Sequence, residues 1–304
     1  MASELSFAVT EEPCVSVIIP HRDDVAGLAR TLAALARLAP ESPAFEVIVV
    51  DNGSRDAAAV RAVAGPARLV HCAQIGAGPA RNAGVAVARG RRLAFLDCDC
   101  EPAADWLRAA PEAPVVGGPV RVGLLDQGVR PPTAAAGFDL LFGFDSERSF
   151  RRDGLLLTGN LMVEAAVFAA VGPFRTGVSE DLDWCRRAAA MGFAPRLEAG
   201  LAVRHRAIDD EARLLARWRR VAREMWLTDR DAGRPVVASL WYQAKVALSP
   251  LVHQFRVLWH PALAGTGGRF RLAVGALLWR VRWARVAAVF SLVGRGSGRS
   301  IPLG

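Results

Sequence analysis

Lysine is nearly absent from this chain. Of 38 basic residues 37 are arginine, and Lys245 is the exception. Beside so much Ala and Gly, that bias reflects a GC-rich coding sequence before it reflects chemistry. Cysteine is sparse too. The five (Cys14, Cys72, Cys98, Cys100, Cys185) include no C-x-x-C spacing, which excludes a disulfide framework and fits a reducing, cytoplasmic setting. The opening MASELSFAVTEEP has neither a basic n-region nor an apolar core, so no secretory signal is expected. Long uncharged apolar runs are missing as well. The stretch 236–258 contains Lys245, Pro250 and His253. The stretch 270–294 contains Arg280, Arg282 and Arg285, each costing about 2.5–3.5 kcal/mol at a bilayer centre. Neither is expected to span a membrane. The glycines at 76, 78 and 84 do not make G-x-G-x-x-G, so the nicotinamide-dinucleotide fingerprint is also absent.

What is present is a core-forming composition: 52% hydrophobic, 22% charged, mean hydropathy +0.22. That excludes a disordered or solvated-tail protein and suits one large α/β domain with an appendage. The net charge of +8 is unevenly placed. Residues 1–210 hold 22 basic and 26 acidic side chains, whereas 211–304 hold 16 and 4, with no carboxylate after Asp231. An anionic surface partner is therefore expected at the C-terminal third.

The first hundred residues alternate strand and helix. VSVIIP (15–20), FEVIVVD (45–51), RLVHC (68–72) and RRLAFLD (91–97) are apolar, β-branched runs of the kind buried in a parallel sheet. Val25, Leu28, Leu32, Leu35 and Leu38 recur at helical spacing between the first two, and 78–90 reads as an Ala-rich helix. Ligands of such a sheet gather at the carboxyl ends of its strands. Further on, 115–123 and 155–163 read as strands, 126–137 as a loop, and 180–192 as a helix closed by Gly192. The segment 211–227 reads as an amphipathic helix with Leu214, Trp218, Val221 and Met225 on one stripe.

Four constellations carry chemistry. In FLDCDCEP, Asp97 and Asp99 leave a buried strand together, where they either start a loop or share a hard divalent cation with phosphate oxygens. Asp51 ends the second strand, either capping an Asx turn or accepting from a ribose hydroxyl or base N–H. GAGPARNAG sets Arg81 and Asn82 in the first turns of a helix, a place that suits an anion or merely a tight loop. Glu180 and Asp181 open another helix, either as carboxylates favoured by its dipole or with one of them as a general base. His205 is either a metal ligand or an ordinary strand-end histidine.

Taken in order, these segments resemble the family-2 glycosyltransferases of GT-A fold. The likeness covers about residues 14–228 and rests on SVIIPHRDD, VVDNGSRD, GPARNAG, LDCDCEP, TGNLMVEAAVFAAVGPF and SEDLDWCRR. It implies a Rossmann-like, mostly parallel sheet flanked by helices, with a C-terminal helical extension. It further implies an inverting hexosyl transfer from a nucleoside-diphosphate sugar to an acceptor hydroxyl, on a lipid-linked or cell-envelope glycan or on a small molecule, with Mg²⁺ or Mn²⁺. On the donor side it places Pro20, Asp51, Arg81, Asn82 and Asp97. It puts the metal on Asp99, with Asp97 and His205 alongside, the acceptor near Gly159 and Asn160, and the base at Asp181 with Glu180 as fallback. Asp23 stands where the family usually has Asn, and Gln74 where Asn is common. No Q-x-x-R-W follows the E-D pair, which argues against a processive polysaccharide synthase.

The expected division is 1–228 for the catalytic domain and 229–304 for a basic, Trp/Arg-rich helical extension. Six of eight Trp lie after residue 210. Indole rings at headgroup level, with guanidinium groups on lipid phosphates, would make that extension a peripheral anchor on the inner face of an anionic membrane, near a lipid-linked acceptor. Packing on the catalytic domain and a homodimer contact are the other readings of the same faces. A sugar-nucleotidyltransferase stands second among enzymes, but HRDDVAG occupies the place of its Gly-rich loop. A nucleic-acid-binding protein is opposed by the acidic first 210 residues, so no nucleic acid is expected.

Overall fold

The computed structural model describes residues 13–124 and 132–293. The described residues divide into two compact units, one of residues 13–121, 145–176 and 180–205, the other of 122–124, 132–144, 177–179 and 206–293. The second unit thus takes in more than the expected C-terminal extension.

In chain order the elements are β1 (Val15–His21), α1 (Val25–Leu35), β2 (Phe45–Asp51), α2 (Ala57–Ala64), β3 (Arg68–His71), α3 (Ala77–Val85), β4 (Arg92–Leu96), β5 (Cys100–Pro102), β6 (Val115–Gly117) and β7 (Val120–Gly123). There follow α4 (Ala134–Phe142), α5 (Ser146–Asp153), β8 (Asn160–Glu164), α6 (Ala165–Val171), α7 (Glu180–Ala190), β9 (Arg196–Leu197) and β10 (Val203–Arg206). The last described helices are α8 (Glu211–Asp231), α9 (Val236–Leu248), α10 (Pro250–Trp259) and α11 (Gly268–Val293).

The main sheet has seven strands in the order β3-β2-β1-β4-β8-β6-β9. β3, β2, β1 and β4 run parallel, and β8 is antiparallel to both β4 and β6. In this register His21 stands opposite Asp51, so the parallel strands deliver their carboxyl ends to one edge. Gly84 lets α3 lie close on the sheet, because a Cβ there would strike Ile18. A second sheet has the order β5-β10-β7.

Below the carboxyl edge lies an aromatic cluster. Phe95 meets Phe174 edge-on at 5.2 Å, and Phe168 stacks on Trp184 at 5.7 Å. Trp184 is fully buried and donates its indole N–H to Gly172 O. It lies three residues after Asp181, so burying it fixes the first turn of α7 in place.

Several boundaries differ from expectation. Residues 115–123 are two strands, because Gly118-Pro119 cannot continue a ladder and the chain changes sheets there. β8 begins at Asn160 instead of 155. The expected loop at 126–137 falls partly on 125–131, outside the described residues. The rest of it enters α4, where the Thr133 hydroxyl caps Ala136 N–H.

The helical unit has its own core, in which Phe138, Leu214, Val257, Leu277, Leu278 and Val281 are buried together. α8 turns Leu214, Ala222 and Trp226 inward, while Val221 and Met225 are half-buried. Ala222 and Trp226 pack against Val289 and Leu292 of α11, which draws the stripe one residue from the expected row. Carboxylates of this unit are taken by arginines: Asp139 by Arg217 at 3.2 Å, Glu224 by Arg220 at 3.1 Å, Asp229 by Arg234 at 3.2 Å, and Glu211 by Arg280.

On α11 the arginines are not all turned to solvent. Arg282 and Arg285 are buried, over the Phe142 and Trp218 rings respectively, and Arg271 donates to Leu258 O and Leu263 O. Val237 and Trp241 on α9, and Val252, Phe255 and Trp259 on α10, are exposed, as are Leu272, Trp283 and Phe290 on α11. Among the described residues no helix is long and apolar enough to cross a membrane.

Candidate active site

The turn between β4 and β5 carries the D-x-D. Cys100 N–H closes it on Asp97 O, and the Thr31 hydroxyl lies 2.9 Å from both Cys98 O and Cys100 O. Burial and the neighbouring aspartates push the Cys98 and Cys100 thiols well up, so both stay protonated spacers. β10 lies antiparallel to β5 with His205 opposite Cys100. Its imidazole Nε2 sits 3.0 Å from Asp99 Oδ2.

Arg81 ties this turn to α7. Its guanidinium is almost wholly buried. Nη2 donates to Asp97 Oδ1 at 2.6 Å, and Nη1 to Glu180 Oε1 at 3.1 Å. Asp181, beside Glu180, is held by Thr158 N–H on its Oδ2 at 3.4 Å. Burial, with the charge of Glu180, raises its pKa to about 6, while Arg81 pulls the other way. Gly159 sits against Asp97: a Cβ there would lie 2.7 Å from Asp97 Oδ2, and its own carbonyl accepts from Asp97 N–H. Arg81, Asp97, Asp99, Gly159, Glu180, Asp181 and His205 are thus linked in one constellation.

A donor-side group lies at the ends of β1 and β2. Asp51 is buried, accepts from Ser54 N–H at 3.1 Å, and has the His21 and His71 rings within 4.0 Å. Asp23, in a left-handed conformation (φ 55°), binds the Arg55 backbone N–H and guanidinium.

Residues 16–112 match the family model described as Glycosyl transferase family 2. Glycosyltransferase AglE of Haloferax volcanii is 30% identical over 247 residues, 75% of this chain and 80% of that one. The chain belongs to glycosyltransferase family 2. Succinoglycan biosynthesis protein ExoO of Rhizobium meliloti is 36% identical over 124 residues, 39% of this chain and 35% of its own. Among solved structures, the mannosyltransferase PcManGT of Pyrobaculum calidifontis, in complex with GDP-Man and Mn²⁺, aligns over 95% of this chain and 89% of its own. Its TM-score is 0.61 at 19% identity, a likeness of fold. Glucosyl-3-phosphoglycerate synthase of Mycobacterium tuberculosis aligns over 73% of this chain and 81% of its own, with TM-score 0.52 at 20% identity.

Within this glycosyltransferase some expected site residues face inward. Asn82 clamps Phe174, accepting from its N–H and donating to its carbonyl. Asn160 is buried, accepts from the Trp106 indole and donates to Leu201 O. Both amides therefore spend their hydrogen bonds on the scaffold. Pro20 stays within β1, opposite Val50.

Sequence reasoning missed Asn52 and Thr31. Asn52 donates to Cys72 O and Gln74 O and accepts from Gly76 N–H at 2.7 Å, closing the loop before α3. An Asn beside a strand-end Asp was the available signal. Thr31, mid-helix, offered none.

Among the described residues no three metal-ligating side chains gather as one group. Asp99 and His205 nevertheless face each other, and the Asp97 carboxylate is one-third exposed. Carboxylate oxygen with a single imidazole fits a Mn²⁺ or Mg²⁺ ion that takes its other positions from diphosphate and water.

Proposed function

We propose that this glycosyltransferase moves a hexosyl group from a nucleoside-diphosphate sugar to a hydroxyl on a lipid-linked or cell-envelope glycan, with inversion. The observation that supports this most is the buried bridge Asp97–Arg81–Glu180, which holds the strand-end aspartates and the α7 carboxylates in one site. The neighbour solved with GDP-Man and Mn²⁺ supports the donor class and the cation.

Asp51 would accept from the nucleoside, and Asp99 with His205 would hold the cation, Asp97 alongside. A divalent cation there would offset charge on the departing diphosphate. Asp181 takes the acceptor proton as that oxygen attacks the anomeric carbon and the bond to the diphosphate breaks. A carboxylate with a pKa near 6 is ionised at neutral pH yet more basic than an ordinary Asp, which suits that role. Glu180, already paired with Arg81, is the weaker candidate.

The test is thermal stabilisation by UDP, GDP and other nucleoside diphosphates, with and without Mn²⁺, followed by the anomeric configuration of product. Stabilisation untouched by chelator would remove the cation, and retained configuration would remove Asp181 as single-displacement base.

Peripheral attachment to an anionic membrane belongs to the same reading. Its support is the exposed apolar side chains of α9 and α10, with Val237 76% and Trp259 82% exposed, in a segment that has no carboxylate. Sedimentation with phosphatidylglycerol vesicles, releasing as salt rises, is the expected result.

A further inference from the structure

The helical unit buries two neighbouring arginines that no carboxylate meets among the described residues. Arg282 and Arg285, one turn apart on α11, are 9% and 8% exposed. No ion pair reaches either among the described residues, and Asp139, Glu211, Glu224 and Asp229 of the same unit are bound to other arginines. Their surroundings are aromatic. The Arg285 guanidinium lies 4.8 Å from the Trp218 ring centroid and beside the Tyr242 hydroxyl, and that of Arg282 lies 5.6 Å from Phe142. Arg256 approaches the same Phe142 ring at 5.7 Å. Three buried donors in this cluster, the Nε groups of Arg282 and Arg285 and Nε1 of Trp218, have no acceptor. Burial and the like charge of Arg285 draw the Arg282 pKa down to about 10.

Aromatic faces and one phenol hydroxyl offset only part of the cost of two neighbouring buried cations. Donors without acceptors, arranged about two guanidinium groups, are complementary to an oxyanion, and the guanidinium fork matches phosphate geometry. A carboxylate ligand would meet fewer of the donors than the three or four oxygens of a phosphate.

We propose that Arg282 and Arg285, with Trp218 and Arg256 beside them, form a binding site for a phosphate group between α8, α10 and α11 of the helical unit. The group is either free phosphate or the phosphate of a lipid headgroup. This site is separate from the proposed donor site and does not depend on the cation there.

The test uses the full chain in chelator, so that phosphate cannot bind through a cation at Asp99. Thermal midpoints are measured in inorganic phosphate and in chloride of equal ionic strength. The wild-type midpoint should rise saturably with phosphate. Arg282→Met should start from a midpoint equal to or above wild type and show no saturable rise, since removing an uncompensated buried charge relieves the fold while emptying the site. An equal rise in both proteins would mean general salting-out by phosphate and overturn the site. A variant midpoint far below wild type, with the phosphate response kept, would overturn it too. Vesicles of phosphatidic acid and of phosphatidylcholine identify the source. Wild-type binding to the first that falls about tenfold or more in Arg282→Met assigns a lipid phosphate. A phosphate response without vesicle binding assigns the free ion. The nucleotide-plus-Mn²⁺ shift of Arg282→Met, which should equal that of wild type, reports separately on the proposed transfer function.

Discussion

In the α/β unit Arg81 is buried between Asp97 and Glu180, each within 3.1 Å, whereas in the helical unit Arg282 and Arg285 are buried among aromatic rings. The first arrangement fixes the position of carboxylates that must not drift. The second leaves two guanidiniums with no carboxylate partner among the described residues. The same residue type at similar burial is thus a brace in one region and an open valence in the other. Apolar surface divides similarly. Trp106 and Trp184 of the α/β unit are fully buried, while Trp241, Trp259 and Trp283 of the helical unit are exposed. The α/β unit pairs this buried arginine and covers those rings, whereas the helical unit leaves two buried guanidiniums among aromatic rings and three indoles exposed.

Substitution at the carboxylates tests the first half of this comparison most severely. Asp99→Asn and Asp181→Asn should each lower kcat about 10³-fold in a sugar-transfer assay, with unchanged circular dichroism. Asp181→Asn should keep its nucleotide-plus-Mn²⁺ stabilisation, and Asp99→Asn should lose it.

Tryptophan substitution comes next. Trp184→Ala should cost about 3–5 kcal/mol in denaturant unfolding, because it empties the aromatic cluster under the site. Trp259→Ser should stay within about 0.5 kcal/mol of wild type. Equal costs would end the contrast between covered and uncovered rings.

The arginines should then separate in sign. Arg81→Met should destabilise by about 3 kcal/mol, since it strands two carboxylates, while Arg282→Met in phosphate-free buffer should be neutral or stabilising by about 1 kcal/mol. Double-jump unfolding of both variants under one condition makes the comparison direct.

The remaining effect is on pH dependence. Asp181 binds its proton more tightly in the folded chain, with a pKa of about 6 against an ordinary 3.8. Its contribution therefore favours folding at acid pH and is lost as pH rises through that interval. Asp181→Asn should be more stable than wild type by about 1–3 kcal/mol at pH 7.5, and the gap should close below pH 4. In the wild type, kcat/KM should rise with pH through about 6 and then level off.

Local pattern determined the parallel core and the carboxylates at its edge. A doubly covered strand must be a continuous apolar run, and a carboxylate immediately after one must emerge at the strand mouth, so β1, β2, β4, Asp51, Asp97 and Asp99 were legible from the chain alone. The charge reversal after residue 210 was equally plain. Orientation across long separations was not legible. Arg81 and Glu180 are 99 residues apart, and nothing local says that a guanidinium in an Ala-rich helix bridges to them both, Asp97 and Glu180. Nor does motif spacing reveal that Asn82 and Asn160 give their amides to Phe174, Trp106 and Leu201. On α11 Arg282 and Arg285 are three residues apart and so share a face, but helical spacing does not say which face is inside. Packing of α8 and α10 against that face decided that the guanidiniums point into the unit and the apolar strips of α9 and α10 point out, because burial is a property of neighbours that the sequence names only after the chain has folded.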